Sequence, residues 1–425
     1  MSKYTDHLGH PLVAITGLGV VSSLGQGKAE NWAALTSGTS GIHTITRFPI
    51  EGLRTQIAGT VDFLDESNKG AVALSEKLGA LAGEEAITQA GLSVDEFGGP
   101  LFLAAPPVEL DWRNRFALDA LARSDGEPSY ELLLAACRRA PQIDMFNTVE
   151  FGYIAEQLAE RFGTRGLPVT LSTACASGAT AIQLGVEAIR RGESDRVLSI
   201  GTDGSVSAEA LIRFSLLSAL STQNEPAHKA AKPFSKDRDG FVMAEGSGAM
   251  VMESLESALA RGANILGIMR GCGEKADDFH RTRSKPDGSP AIGAVRAALD
   301  DAGIKEDAID YINAHGTSTP ENDKMEYLAL SSVFGERIAK LPTSSNKSMI
   351  GHTLTAAGAI EAVFSVLTIQ TGTLPPTINY DNRDPAIDLD VVPNVKREAS
   401  VSSVLSSSFG FGGQNTCLVM TAEPN

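Results

Sequence analysis

Short apolar runs that suit strands alternate with longer segments of helical periodicity along this chain, and the order of alternation recurs in its second half. Residues 12–15, 101–104, 169–172, 196–200 and 241–252 read as strands, the last as a pair around Gly246 and Gly248. Residues 28–37, 75–90, 176–191, 209–220 and 255–261 carry the spacing of helices. Further strand-like runs follow at 265–273, 309–314, 341–344, 401–408 and 416–421, with helical segments at 290–302, 321–333 and 355–370 between them. Strands alternating with helices bury a sheet under helical layers. The recurrence predicts a duplicated α/β unit with halves at 1–264 and 265–425 and no short-period repeat. Gly17 and Gly19 are expected to turn the chain out of the first strand, and Gly91 to cap the helix before it. Residues 106–145, charged and punctuated by Pro106, Pro107, Pro128 and Pro141, resist assignment.

A chain of 425 residues has ample length for a buried core, as two or three domains or as one large duplicated unit. Its net charge of −16 argues against nonspecific nucleic-acid binding, which needs a basic surface. The N-terminal segment lacks the basic start and long apolar centre of a signal peptide. The most apolar segment, 354–369, carries Glu361, so no membrane span is expected. Cys137, Cys175, Cys272 and Cys417 are far apart and form no CxxC pair. Neither a zinc site nor a disulfide framework is indicated, and a reducing cytoplasm is the expected compartment.

Four segments carry candidate chemistry. Cys175 lies between a strand and an alanine-rich helix, where unpaired N–H groups and the helix dipole favour a thiolate. A thiol pKa below about 8.5 is therefore expected. Ala174, Ala176 and Gly178 are expected to leave room for a substrate. The alternative is a buried structural cysteine. His315 ends another strand and enters a loop in which Thr317 and Thr319 can hydrogen-bond a polar substrate arm, or simply make local turns. Lys347 and His352 follow a third strand. An enclosed lysine wants a carboxylate; Glu361 is the first candidate, with Asp323 and Glu326 as alternatives. Finally, residues 408–413 hold Phe409 and Phe411 among Gly410, Gly412 and Gly413. Such a loop can turn N–H groups toward an oxyanion, and its phenylalanines suit a gate or an apolar wall.

The segments TACASG, NAHGTSTP, NKSMIGH and SFGFGG together resemble those of the β-ketoacyl-acyl-carrier-protein synthases, the elongating type II group of the thiolase superfamily. ITGLGVVSSLG near the start, residues 233–248 and LPPTINY at 374–380 agree, so the likeness spans nearly the whole chain. It implies a thiolase-like, five-layered α/β/α/β/α fold of two duplicated halves, and a homodimer. It implies elongation of a carrier-bound acyl thioester by malonyl carrier protein, a decarboxylating Claisen condensation. By position, Cys175 matches the acylated nucleophile, His315 and His352 the pair that promotes decarboxylation, and Lys347 with Glu361 the supporting charged pair. Thr317 and Thr319 match the residues that bind phosphopantetheine, Phe411 the gating phenylalanine, and Phe214, Phe409 and Gly412 further substrate contacts. No metal or redox cofactor is implied; the pantetheine arm belongs to the acyl carrier protein.

Two departures stand out. Residues 104–110 read Ala-Ala-Pro-Pro-Val-Glu-Leu where relatives are glycine-rich, which suggests an altered acyl tunnel for unusually long chains. Residues 70–80 hold few basic groups, with only Lys69 and Lys77 nearby. Docking of an acidic carrier is then expected at Arg213 or at Arg281, Arg283 and Lys285, which suggests a specialised carrier. A polyketide ketosynthase shares every catalytic residue and is the nearest alternative. A noncatalytic acyl-binding scaffold predicts a lost nucleophile or histidine, and both are present.

Overall fold

The computed structural model describes residues 4–64, 70–107, 110, 112–123, 126–127 and 129–422. Lys69 and Pro128 lie outside them. The first half contributes strands β1 (Val13–Ser22), β2 (Leu101–Ala104), β3 (Val169–Leu171), β4 (Arg196–Asp203) and β5 (Gly246–Ser254). The second contributes β6 (Gly267–Ala276), β7 (Tyr311–Asn313), β8 (Thr343–Ser344), β9 (Ser403–Phe409) and β10 (Gln414–Thr421). The spatial order is β3-β2-β4-β5-β1, then β6-β10-β9-β7-β8. Counted within its own half and from its outer edge inward, each set runs third, second, fourth, fifth, first. The pairing directions repeat as well. β2 is parallel to β3 and β4, as β7 is to β8 and β9, and the remaining neighbours are antiparallel. The halves join where Val13, Ala14 and Ile15 pair with Met269, Ile268 and Gly267.

Helices α1 (Gly27–Ser37), α2 (Ala71–Gln89), α3 (Trp112–Arg123), α4 (Tyr130–Arg139), α5 (Tyr153–Phe162), α6 (Ser177–Arg190) and α7 (Ala208–Leu216) belong to the first half. The second adds α8 (Ser289–Ala302), α9 (Pro320–Phe334) and α10 (Ala357–Thr371). α6 and α10 pack on each other and touch both sets of strands; α2 and α5 cover the first set outside, α8 and α9 the second. The result is the expected five-layered α/β/α/β/α arrangement. The central position explains the composition of α10. The segment Leu354–Thr371 is long and apolar enough to cross a membrane, yet it forms a buried core helix here.

Several local expectations change. Gly17 and Gly19 do not turn the chain: β1 runs through them to Ser22. A Cβ at either would lie about 2 Å from a carbonyl oxygen of α2, at Ala86 or Ala82, so these glycines admit the helix against the strand. Gly178 likewise makes room for α10 rather than for substrate, since its Cβ would meet Ala359 N at 2.5 Å. Within 241–252 only one long strand forms, β5, starting at Gly246. The helix expected over 209–220 stops at Leu216, and Ser218 takes a positive φ of 53°. The unassigned stretch 106–145 holds α3, α4 and the start of a one-turn helix, Ile143–Asn147.

Candidate active site

The candidate residues stand where strands end, the position at which parallel sheets expose functional groups. β3 leads through a 3₁₀ turn, Ala174–Ala176, into α6, with Cys175 in that turn. Ala174 holds φ at 50°, an uncommon conformation for a residue with a side chain. It is braced by Ser177 Oγ, which donates to Ala174 O at 2.6 Å and accepts from Thr173 N at 2.7 Å. His315 follows β7, Lys347 and His352 follow β8, and Phe409–Gly413 links β9 to β10.

These strand ends converge. The Cys175 Sγ and one nitrogen from each of His315 and His352 lie within 4.8 Å of one another, all buried. The two imidazole centroids are 5.3 Å apart at 84°. Leu354 N–H donates to His352 Nδ1 at 3.2 Å, so neutral His352 carries its proton on Nε2. That Nε2 is buried and has no hydrogen-bond partner. Lys347 Nζ lies 3.3 Å from His315 Nδ1 and donates to His315 O at 2.7 Å, leaving Nε2 of that ring as its donor. Burial first, then the Lys347 charge, holds both histidines well below the ordinary imidazole pKa. Two neutral imidazoles therefore stand beside one thiol, and the backbone of Phe409 also hydrogen-bonds His315.

Glu361 is the partner of Lys347, as expected first among the three candidates. Glu326 has another task. Its carboxylate accepts from the N–H groups of His315 and Gly316, both at 2.7 Å, and from Ser407 Oγ at 2.7 Å. Asp323 accepts from Phe234 N and sits 3.6 Å from Arg238. One supporting carboxylate escaped the sequence reading. Asp203, at the end of β4, accepts from Thr355 Oγ1 at 2.7 Å and from Ser205 Oγ at 2.6 Å, tying the start of α10 to the first half. Its position at a strand end was the available signal.

The thiol does not behave as its helix-start position suggests. Burial pushes Cys175 up to about 11, outweighing the Phe411 N–H and the Lys347 charge that pull it down, while Asp203 and Glu361 add to the rise. The Phe411 N–H thus points at Sγ. Gly410 permits this, because a Cβ there would lie 2.8 Å from Thr173 O and 3.3 Å from Cys175 N. This sets the Phe411 N–H close to that of Cys175, an arrangement of the kind that can hold an oxyanion. Phe409 packs edge-on against His315 at 6.0 Å, and Phe241 bridges His352 and Phe214 at 5.3 and 5.4 Å.

Two cavities meet at Cys175. One, of about 360 Å³, is lined by both histidines, Thr317 and Thr319 and opens past Arg281 and Arg283. Thr317 Oγ1 and Thr319 Oγ1 are 2.9 Å apart, and the latter also caps α9. The other, of about 590 Å³, is mainly apolar and runs along Leu74, Pro106, Pro107, Ile154 and Val206. Phe214 and Phe411 border both. Gly412, exposed beside them, donates its N–H to Arg281 O at 2.7 Å. Arg213 borders the second cavity, and Lys285 sits 3.9 Å from Asp287. The Cys–His–His trio has donor types that suit a soft divalent ion, but the Lys347 ammonium against His315 opposes a dication there.

A family model of the β-ketoacyl synthase N-terminal domain matches residues 11–99 and 124–258, and that of the C-terminal domain matches 266–381. A relative from Coxiella burnetii, 3-oxoacyl-[acyl-carrier-protein] synthase 2, is 36% identical across 96% of this chain and 98% of its own length. Among solved structures, a type II polyketide acyl-carrier protein in complex with its ketosynthase, bound to a hexaketide, aligns with a TM-score of 0.86. Its identity is 31% over 97% of this chain and 100% of that one. The ishigamide ketosynthase/chain length factor aligns at 0.82 with 35% identity, over 97% and 100%. With its duplicated sheet, its Cys–His–His centre and this coverage, the chain belongs to the β-ketoacyl synthase family.

Proposed function

We propose that this enzyme condenses malonyl carrier protein with an acyl group held on Cys175, lengthening the chain by one two-carbon unit. The carrying observation is the unpartnered, buried Nε2 of His352 beside the matching donor of His315. In the first half-reaction Cys175 Sγ attacks the carrier-bound thioester. Its N–H and that of Phe411 hold the oxyanion, and the thiol proton leaves with the pantetheine sulfur. The acyl chain then occupies the larger, mainly apolar cavity. Malonyl thioester follows through the smaller cavity, with its pantetheine arm against Thr317 and Thr319 and its passage bordered by Phe214, Phe409, Phe411 and Gly412. Loss of carbon dioxide leaves an enolate on the thioester oxygen, to which His315 and His352 each donate through Nε2. The enolate carbon attacks the Cys175 thioester and expels the thiolate. With a pKa of about 11 that thiolate takes a proton from solvent, which resets the site. No step draws electrons or needs a metal.

Lys347 acts through its contacts: it fixes His315 by Nδ1 and the backbone carbonyl, and Glu361 balances its charge. Residues 1–264 bring the nucleophile and 265–425 the decarboxylating groups. An acidic carrier docks at Arg281 and Arg283, exposed at the mouth of the smaller cavity, and a specialised carrier suits this placement. The enzyme works as a cytoplasmic homodimer. β3 is an edge strand with Val169 41% exposed, Leu167 beside it is 92% exposed, and Phe116 and Tyr130 stand out from α3 and α4. A second copy of the same edge would cover them. Light scattering at micromolar protein tests this; a monomer refutes it.

The chemistry is tested by intact-mass analysis after incubation with acyl carrier, together with carbon dioxide release from malonyl carrier. Failure to acylate Cys175 refutes it. The likeness to a hexaketide-bound ketosynthase favours polyketide extension as a second reading. Repeated malonyl addition without reduction of the product would support that reading; a single addition supports fatty-acid elongation.

A further inference from the structure

The N-terminal family match breaks off at residue 99 and resumes at 124. The unmatched stretch contains β2, Pro106, Pro107 and α3. It touches the proposed acyl cavity in two ways. Pro106 and Pro107 form part of the cavity wall. On α3, Arg115 reaches across to Glu209 in the first turn of α7, with Nη2 to Oε1 at 3.1 Å. Glu209 itself lines the cavity, as do Arg213 and Phe214 on the same helix. Within a single chain the Glu209 side chain is 15% exposed and that of Arg115 48%, so the pair lies on the outer rim of the cavity wall. Arg115 Nε also donates to Leu110 O at 2.7 Å, which fixes the guanidinium to the start of its own segment. Leu217, just past α7, lines both cavities and is 52% exposed. α7 is thus a wall that an ion pair fastens to a segment the family model leaves unmatched.

We propose that Arg115 and Glu209 form a latch on the rim of the acyl cavity and set the length of chain the enzyme accepts. While the pair is closed, α3 stays against α7 and the acyl chain is confined to the cavity. When it opens, the far end of a longer chain passes between the two helices. This rests on the reading of Cys175 as the acylated residue. Geometry gives the direction of the effect. A short acyl group fills only the end of the cavity at Cys175 and never meets the latch. A long straight chain does.

The test compares kcat/KM for butyryl and stearoyl carriers in the wild type and in Arg115→Gln. Removing an ion pair this exposed shifts a free energy only modestly, so the stearoyl-to-butyryl ratio should rise about two- to five-fold with butyryl turnover unchanged. The charge swap Arg115→Glu with Glu209→Arg should return the ratio to the wild-type value. An unchanged ratio, an equal change for both carriers, or a swap that fails to restore the ratio overturns the latch. A wild type that does not acylate Cys175 from butyryl carrier refutes the underlying reading instead, so the two failures are distinguishable.

Discussion

Replacing His352 by alanine separates the two half-reactions. Its Nε2 has no partner in the resting site, so on that side the substitution orphans no protein group, while on the other the Leu354 N–H loses its acceptor. The loss appears only when negative charge develops on the thioester oxygen of malonyl. Removing one such donor in an enclosed site costs about 2.7–4 kcal/mol, or roughly 10²–10³ in rate. His315 keeps the second donor, so decarboxylation should fall by that amount and not vanish. Acylation depends on Cys175 and the Phe411 N–H, and should stay within about five-fold of wild type. The backbone at 352 is anchored regardless of side chain, since His352 N donates to Val242 O at 2.7 Å and Ala244 N to His352 O at 2.9 Å. The assay is carbon dioxide release from malonyl carrier set beside intact-mass acylation in the same preparation. An equal loss in both half-reactions would refute the division of labour argued here. Acid stability supplies an independent check. The native state keeps both rings neutral well below 6.5, whereas the unfolded chain protonates them near that value. Below pH 6.5 the unfolded state therefore binds more protons, and stability falls as pH drops. His352→Ala removes one of those sites and should weaken this dependence.

Alkylation of Cys175 by iodoacetamide should keep rising with pH toward about 11; a plateau below pH 9 would contradict the buried-thiol assignment. Lys347→Met leaves Glu361 buried without its cation and should lower stability by about 3–5 kcal/mol in denaturant titration, whereas Lys347→Met with Glu361→Leu should lose clearly less. Equal losses would mean the pair is not coupled. Gly410→Ala pushes a methyl toward Thr173 O and Cys175 N. It should slow acylation more than it lowers Tm, as read by intact mass and calorimetry; normal acylation would exclude the loop from the oxyanion pair.

The alternation of apolar runs was enough to read the duplicated α/β architecture, because strand and helix periods differ and each half repeats the order. The strand-end positions of Cys175, His315, Lys347 and His352 were legible for the same reason. What escaped depends on approach in space. Gly17 and Gly19 look like a turn in sequence, yet they serve a helix packed from residues 71–89. The thiol is buried with groups from both halves of the chain around it, so a helix start taken alone gave the wrong direction. The contact between Asp203 and Thr355 joins residues 152 positions apart, and no local pattern announces it. α3 and α4 carry many charged residues and one buried residue each, so their apolar residues, though spaced for a helix, mark no core stripe, and Pro128 and Pro141 interrupt the stretch.

The strained turn before Cys175 has a counterpart in the second half. Leu354 takes φ of 47° where Ala174 takes 50°, each opening a 3₁₀ turn that runs into a central helix. One copy of the bend presents a sulfur. The other presents no reactive atom: Thr355 stands in the cysteine's place. Its twist instead aims the Leu354 N–H at His352 Nδ1. The duplicated bend therefore acts once as a nucleophile mount and once as a selector of protonation isomer. A substitution that relaxes Leu354 would leave the candidate side chains in place and still release His352 Nδ1 from the N–H that fixes the proton on Nε2.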